Sequence, residues 1–204
     1  MVMTVRALAP VSWQRMEEGI EQVRRRLQRA ASALSAAGVR YAVVGGNAVA
    51  AWVSRVDTAA VRNTRDVDIL LCRADLERAR AALEAAGFVH RRVASLGKAG
   101  VMDVFLDGPE AKVRDAVHIL WAGERAVPDA IEPTPELRGT EPAPGFELVP
   151  LEDLLRMKLI SFRDKDRMHL RDLAGVGLVD ASWLTKFPAA LADRLKQILD
   201  DPEG

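Results

Sequence analysis

The chain has 204 residues, of which 49% are hydrophobic and 28% charged, and this composition excludes extensive disorder and allows a full core. Lys plus Arg and Asp plus Glu both number 29, so the net charge is zero and a broad nucleic-acid surface is not expected. Cys72 is the only cysteine, which excludes an intrachain disulfide and a cysteine cluster that could bind zinc or iron–sulfur. Residues 1–16 contain no apolar leader and the chain has no long apolar run, so we expect a cytoplasmic protein without a membrane partner.

The first 121 residues alternate between helical and β periodicity. Apolar residues at three- and four-residue steps predict helices, and short runs of β-branched residues predict strands. Gly38 and Gly87 follow two of the helices, as glycine commonly does at a helix end. The predicted helices are 13–37, 47–53 and 73–86, and the predicted strands are 41–44, 66–72, 88–93, 101–106 and 113–121.

Prolines separate this part from the rest of the chain. Residues 122–145 hold five of the ten prolines and are expected to form little regular structure. Beyond them, 151–162, 165–174 and 189–199 have helical periodicity. We therefore predict an α/β (α+β) fold with a core at 1–121, a proline-rich connection at 122–150 and a C-terminal helical part at 151–204.

Two carboxylates open the strand predicted at 66–72. Residues two apart in a strand point to the same side, so Asp66 and Asp68 converge on one point. Two like charges held this close raise each other's pKa unless a cation neutralises them. Oxygen ligands without a nearby cysteine favour Mg²⁺ or Mn²⁺, and we predict that Asp66 and Asp68 bind such a metal.

A Gly-Gly pair precedes the helix predicted at 47–53. Gly45 and Gly46 carry no Cβ and would let a phosphate approach the main chain, and the first amides of the helix at Asn47 would face that phosphate. The order of strand, Gly-Gly, helix, and acid pair on a second strand predicts a metal-assisted phosphoryl-transfer site.

The segments VVGGNAVAAW (43–52) and NTRDVDILL (63–71) resemble the nucleotidyltransferase superfamily of the DNA polymerase β type. The resemblance is strongest to its minimal and abortive-infection toxin-like branches and to the antibiotic nucleotidyltransferases. It implies a mixed sheet flanked by helices. It also implies that Gly45 and Gly46 hold a nucleoside triphosphate (NTP) and that Asp66 and Asp68 hold the Mg²⁺ ions.

The family normally supplies a third carboxylate from a later strand. In the strand predicted at 113–121, the best register puts His118 at that position and Asp115 on the opposite face. Three interpretations stay open: a β-bulge brings Asp115 inward, His118 is an unusual ligand or acid/base, or the centre is degenerate. Asp103 and Asp107 are further candidates.

Charged residues on the C-terminal helices form a second candidate group. The family resemblance implies that Lys158 and Lys165 approach the β- and γ-phosphates, with Asp166 or Asp172 orienting them. Without the resemblance, the same run is explained as a solvated, salt-bridged helix face. Near the acid pair, Arg62 and Arg65 are candidates for contact with nucleotide phosphates.

The predicted activity is transfer of a nucleoside monophosphate from an NTP to an acceptor hydroxyl, with a divalent metal. The alternative is a catalytically degenerate binding or regulatory protein with the same fold, including a toxin–antitoxin component. The sequence leaves the acceptor open among RNA, a small molecule and a protein, and it leaves the oligomeric state open.

Overall fold

The computed structural model describes residues 10–94 and 101–202, without the side chain of Arg114. The predicted core begins at residue 1 and the predicted C-terminal part ends at residue 204, and both limits lie outside the described residues. Most of residues 1–16, which contain no apolar leader, also lie outside them. The helices are α1 (Trp13–Ala36), α2 (Gly45–Ser54), α3 (Leu76–Ala85), α4 (Leu151–Ser161), α5 (Asp164–Gly175) and α6 (Ala189–Asp200). The strands are β1 (Tyr41–Val44), β2 (Val67–Leu71), β3 (Val89–Ala94), β4 (Val101–Leu106), β5 (Ala116–Trp121), β6 (Glu141–Ala143) and β7 (Phe146–Leu148).

The seven strands form one mixed sheet in the order β3-β4-β5-β2-β1-β7-β6. The pairs β2/β5 and β1/β7 are parallel and the others antiparallel. Helices α1 and α3 pack on one face, and α2, α4, α5 and α6 pack on the other. The predicted α/β class, a mixed sheet flanked by helices with further helices at the C-terminus, is confirmed.

Alternation along the central strands sends their side chains into two separate cores. Val67, Ile69 and Leu71 of β2 are buried under α1 and α3, whereas Leu70 is buried under the opposite helical layer. Such two-sided burial explains why the strand becomes wholly apolar after Asp68. Among the described residues, no helix combines the length and the apolar composition needed to span a bilayer.

Two parts of the predicted secondary structure are wrong. Residues 141–148 form the hairpin β6–β7 inside the proline-rich segment; Gly145 turns it at φ +88° and Leu148 pairs with Val43 of β1. Pro142 is tolerated because β6 is an edge strand. Residues 113–115 form a 3-10 turn, closed by the Asp115 amide donating to the Lys112 carbonyl, so β5 begins only at Ala116.

Candidate active site

Two carboxylates and one imidazole meet where β2 and β5 begin. Asp66 directly precedes β2 and Asp68 is its second residue. His118 lies beside Asp68 in the parallel register of β2 and β5. The ligand atoms of Asp66, Asp68 and His118 all lie within 4.8 Å of one another. The structure therefore brings the predicted acid pair and His118 to one point.

The hydrogen bonds of His118 determine which of its two ring nitrogens could bind a metal. Nε2 lies 2.8 Å from the carbonyl oxygen of Val113, which can only accept, so Nε2 carries a proton. Nδ1 lies 3.4 Å from Oδ1 of Asp68. Burial lowers the pKa of His118, but the hydrogen bonds to Asp68 and Val113 and the charges of Asp68 and Asp66 outweigh burial and raise it. Nδ1 is thus either protonated against Asp68 or free to act as a nitrogen ligand.

The carboxylate of Asp66 is held in its ionised form. Burial raises the pKa of Asp66, but the charge of Lys165 and the hydrogen bond from Thr64 outweigh burial, and the net pKa is lowered. The Thr64 hydroxyl donates to Oδ1 of Asp66 at 2.9 Å, and Nζ of Lys165 lies 3.5 Å from the same oxygen. An ionised Asp66 is the form that binds a cation.

The backbone around Asp66 is fixed from two helices. Nδ2 of Asn47, at the start of α2, donates to the carbonyl of Asp66 at 2.8 Å. The guanidinium of Arg26, buried on α1, donates to the carbonyl of Arg65 at 2.9 Å and also bonds Asp107. These contacts hold the loop that presents the first carboxylate.

The two glycines leave room for side chains of the protein itself. A Cβ on Gly45 would lie 1.9 Å from Oδ2 of Asp68, and one on Gly46 would lie 2.9 Å from Thr64. Gly45 also has φ +68°, a conformation that favours glycine. Helix α2 begins at Gly45 itself, two residues before the predicted start. The absent Cβ atoms thus let the acid strand approach α2, rather than leaving open space as the sequence suggested.

A buried ion pair lies behind the acidic group. Lys158 of α4 and Asp166 of α5 are 6% and 1% exposed, and Nζ of Lys158 is 3.2 Å from Oδ1 of Asp166. Burial lowers the pKa of Lys158, opposed by Asp166 and by the charge of Asp68. Burial raises the pKa of Asp166, but hydrogen bonds from Arg163 and the charge of Lys158 lower it to about 2. Asp166 is therefore ionised at neutral pH and pairs with the amine of Lys158.

His169 of α5 lies next to this pair and is only 4% exposed. Its Nδ1 is buried and has no hydrogen-bond partner among the described residues. Burial and the charges of Lys158 and Lys165 lower the pKa of His169 to about 4. His169 is therefore a buried neutral imidazole beside two cations.

None of the other predicted residues belongs to the cluster formed by Asp66, Asp68 and His118. Asp115, on the 3-10 turn, does not join it, because the turn replaces the strand or bulge that would have brought this residue inward. The side chain of Arg65 is exposed, and this residue directly precedes Asp66 in the chain. Arg62 donates from Nε to both carboxylate oxygens of Asp172 at 2.9 Å. Asp103 bonds His90, and Asp107 bonds Arg26.

Sequence reasoning missed Thr64, Arg26 and His169. The position of Thr64 two residues before Asp66 was a usable signal, because short hydroxyl side chains often bond carboxylates or amides nearby in the chain. Nothing local marks Arg26, whose partner Asp107 is 81 residues away. Nothing local marks His169 either, because its burial depends on packing of α5 against other helices.

The fold and this arrangement define a class, the nucleotidyltransferases. A family model described as "Uncharacterised nucleotidyltransferase" matches residues 4–123, more than half of the chain. The chain belongs to this family, and its predicted membership of the nucleotidyltransferase superfamily is confirmed. No curated protein matches the chain.

Solved structures similar to this chain share low sequence identity with it. An antigenic nucleotidyltransferase-like protein from Paracoccidioides brasiliensis is 18% identical, with a TM-score of 0.52 over 89% of this chain and 88% of that one. The antibiotic-resistance factor ANT(2'')-Ia in solution is 15% identical, with a TM-score of 0.47 over 90% and 93%. ANT(2'')-Ia in complex with adenylyl-2''-tobramycin is 14% identical, with a TM-score of 0.47 over 90% and 99%.

Proposed function

We propose that this protein is a divalent-metal-dependent nucleotidyltransferase that moves a nucleoside monophosphate from an NTP to an acceptor hydroxyl. The observation that carries the proposal is the convergence of Asp66, Asp68 and His118 within 4.8 Å at the N-terminal end of α2. Membership of the nucleotidyltransferase family supports the type of reaction.

The donor set fits a divalent cation. Asp66 and Asp68 would supply carboxylate oxygens, and His118 would supply the lone pair of Nδ1, because its Nε2–H is bonded to Val113. Two oxygens and one imidazole suit Mn²⁺ better than Mg²⁺, which prefers oxygen alone. When bound, the cation would neutralise charge on the triphosphate and polarise the phosphorus that is attacked. His118 then has the role of the third ligand, and Asp115 has none in the site.

Positive groups around the acid pair would bind the triphosphate. Lys165 is about half exposed and its ammonium pairs with Asp66, so it can turn to a phosphate once a cation has neutralised that carboxylate. Lys158 is held by Asp166 behind the acid pair and, when protonated, would add positive charge from below the surface. The first amides of α2, at Gly45, Gly46 and Asn47, add the partial positive charge of a helix N-terminus.

Transfer of label from α-³²P-NTPs, with Mn²⁺ or Mg²⁺ present, tests the proposal. The acceptors are pooled small metabolites, total RNA and the protein itself. We expect labelled product and pyrophosphate from the wild type. Loss of residues that only support metal ligands costs roughly 10–100-fold, so Asp66→Ala and Asp68→Ala should cost at least that much.

Asp193→Ala removes an exposed acid on α6 and is the matched control. Activity that survives Asp66→Ala would contradict the proposal. Metal-dependent nucleotide binding without transfer to any acceptor would favour the degenerate binding protein instead.

A further inference from the structure

A cavity of about 640 Å³ lies beside the acidic group. It is an open cleft lined by residues of α1, α2, the loop at 61–64 and the hairpin β6–β7. Asn47 and Thr64 line it, and both residues also bond Asp66. Its volume falls within the range of small-molecule sites. The cavity therefore shares a wall with the site proposed for metal and nucleotide.

The lining of this cavity combines apolar surface with guanidinium groups. Val23, Leu27, Val61 and Phe146 are among the apolar residues of the wall. Arg24, Arg55 and Arg62 supply the charge, and no Asp or Glu lines the cavity among the described residues. Such a lining suits a ligand with an apolar body and an anionic group.

Partners outside the cavity hold the three guanidinium groups. Nε of Arg24 lies 3.2 Å from Glu21, and Nε of Arg62 lies 2.9 Å from both oxygens of Asp172. Arg55 stacks on Trp52 at 4.2 Å, and its Nη1 lies 3.9 Å from Oε2 of Glu141. Because Arg24 and Arg62 use Nε for these contacts, their terminal nitrogens remain available to a ligand.

We propose that this cavity binds the acceptor, and that the acceptor is a small hydroxylated molecule with an apolar body and a carboxylate, sulfate or phosphate group. This inference rests on the proposed nucleotidyl transfer. The acceptor oxygen forms a bond to the α-phosphorus of the NTP, and the bond from that phosphorus to the α,β-bridging oxygen breaks. Pyrophosphate leaves, and the hydroxyl proton is released to solvent.

Charge and size argue against other acceptors. The guanidinium groups would repel a polycationic acceptor. An RNA strand needs many phosphate contacts, and the zero net charge of the chain provides no large basic surface for them. The volume of the cavity, about 640 Å³, suits one small molecule.

Fluorescence titration with 6-hydroxy-2-naphthoate tests the proposal, with 2-naphthol, spermine and a 20-nucleotide single-stranded RNA as comparisons. We expect the naphthoate to bind more tightly than the other three. The double variant Arg24→Gln, Arg55→Gln should bind it roughly tenfold more weakly, which is about 1.4 kcal/mol. Ala50→Phe, which fills the cavity from α2, should abolish binding. Arg80→Gln removes an exposed arginine paired with Glu84 outside the cavity and should have no effect.

Titration of the same variants with NTP and Mn²⁺ separates the two proposals. Unchanged NTP binding together with unchanged naphthoate binding in Ala50→Phe would overturn the acceptor cavity alone. If 2-naphthol bound as tightly as 6-hydroxy-2-naphthoate, the claim that the acceptor carries an anionic group would be overturned. Tighter binding of RNA, lost in the double variant, would overturn the small-molecule class. Absence of NTP binding in the wild type would overturn the proposed function itself.

Discussion

Nδ1 of His118 faces Oδ1 of Asp68 at 3.4 Å across the parallel strands β2 and β5. A carboxylate in place of this imidazole would complete an all-oxygen donor set. We therefore expect His118→Asp to raise the affinity for Mg²⁺ relative to that for Mn²⁺. Competition titrations of the two metals in the presence of a non-hydrolysable NTP measure this ratio.

His118→Ala is the control for His118→Asp, because it removes the nitrogen without adding an oxygen. His118→Ala should weaken the binding of both Mn²⁺ and Mg²⁺. An unchanged Mn²⁺ affinity in His118→Ala would show that His118 is not a ligand.

Gly45 and Gly38 provide a matched pair of glycines. Their φ angles are +68° and +64°, so alanine at either position should cost about 1–2 kcal/mol of backbone strain. Only at Gly45 would the new Cβ meet Asp68, whereas Gly38 has open space. We expect Gly45→Ala to weaken metal and nucleotide binding strongly and Gly38→Ala to leave both unchanged. Equal binding by the two variants would rule out a role for this close approach.

The ion pair of Lys158 and Asp166 should matter for stability far more than an exposed pair. Removing one partner of a buried pair leaves an uncompensated charge, so Asp166→Ala should cost about 3–5 kcal/mol of unfolding free energy. Lys196 and Asp200 are 61% and 62% exposed, and Asp200→Ala should cost less than about 1 kcal/mol. Chemical denaturation measures both.

The double variant Lys158→Met, Asp166→Asn nearly keeps the side-chain volumes and removes both charges. It should be more stable than Asp166→Ala alone, because no unpaired charge is left buried. A double variant less stable than the single one would contradict this account of the pair.

Some elements of the fold can be predicted from the local sequence, whereas others depend on contacts between distant residues. The helices and central strands follow from periodicity. The placement of His118 near the acid pair is implied by the family resemblance, and its pairing with Asp68 comes from the contact between β2 and β5. The strands β6 and β7 have three residues each and exist only because β7 pairs with β1, about 100 residues away in the chain. The contact of Arg26 with Asp107 is equally non-local. Contacts of this kind leave no periodic signal.

The buried imidazole of His169 should make stability depend on pH. Its pKa is about 4 in the folded protein and about 6.5 when unfolded, because burial and the charges of Lys158, Lys165 and Arg62 oppose protonation and outweigh Asp166. Because the pKa of His169 is lower in the folded protein, the stability that this residue contributes is fully present above pH 6.5. It is lost as pH falls from 6.5 towards 4. The loss should approach about 3 kcal/mol.

Comparison of the wild type with His169→Gln between pH 5 and 8 isolates this contribution. Asp166, with a pKa of about 2, remains ionised throughout that range. The pKa of His118 is raised, so the stability that His118 contributes is lost as pH rises. This effect is the same in the wild type and in His169→Gln and does not change the difference between them. The stability difference should shrink as pH falls. A difference independent of pH would show that His169 is not held neutral.

The central claim is that Asp66 and Asp68 form a metal-dependent nucleotide site. Calorimetric titration with each NTP, with and without Mn²⁺ and Mg²⁺, tests it directly in the wild type and in the Asp66→Asn, Asp68→Asn variant. We predict binding only with metal, and loss of that binding in a variant that still unfolds cooperatively. Nucleotide binding that needs no metal, or that the variant retains, would contradict the claim.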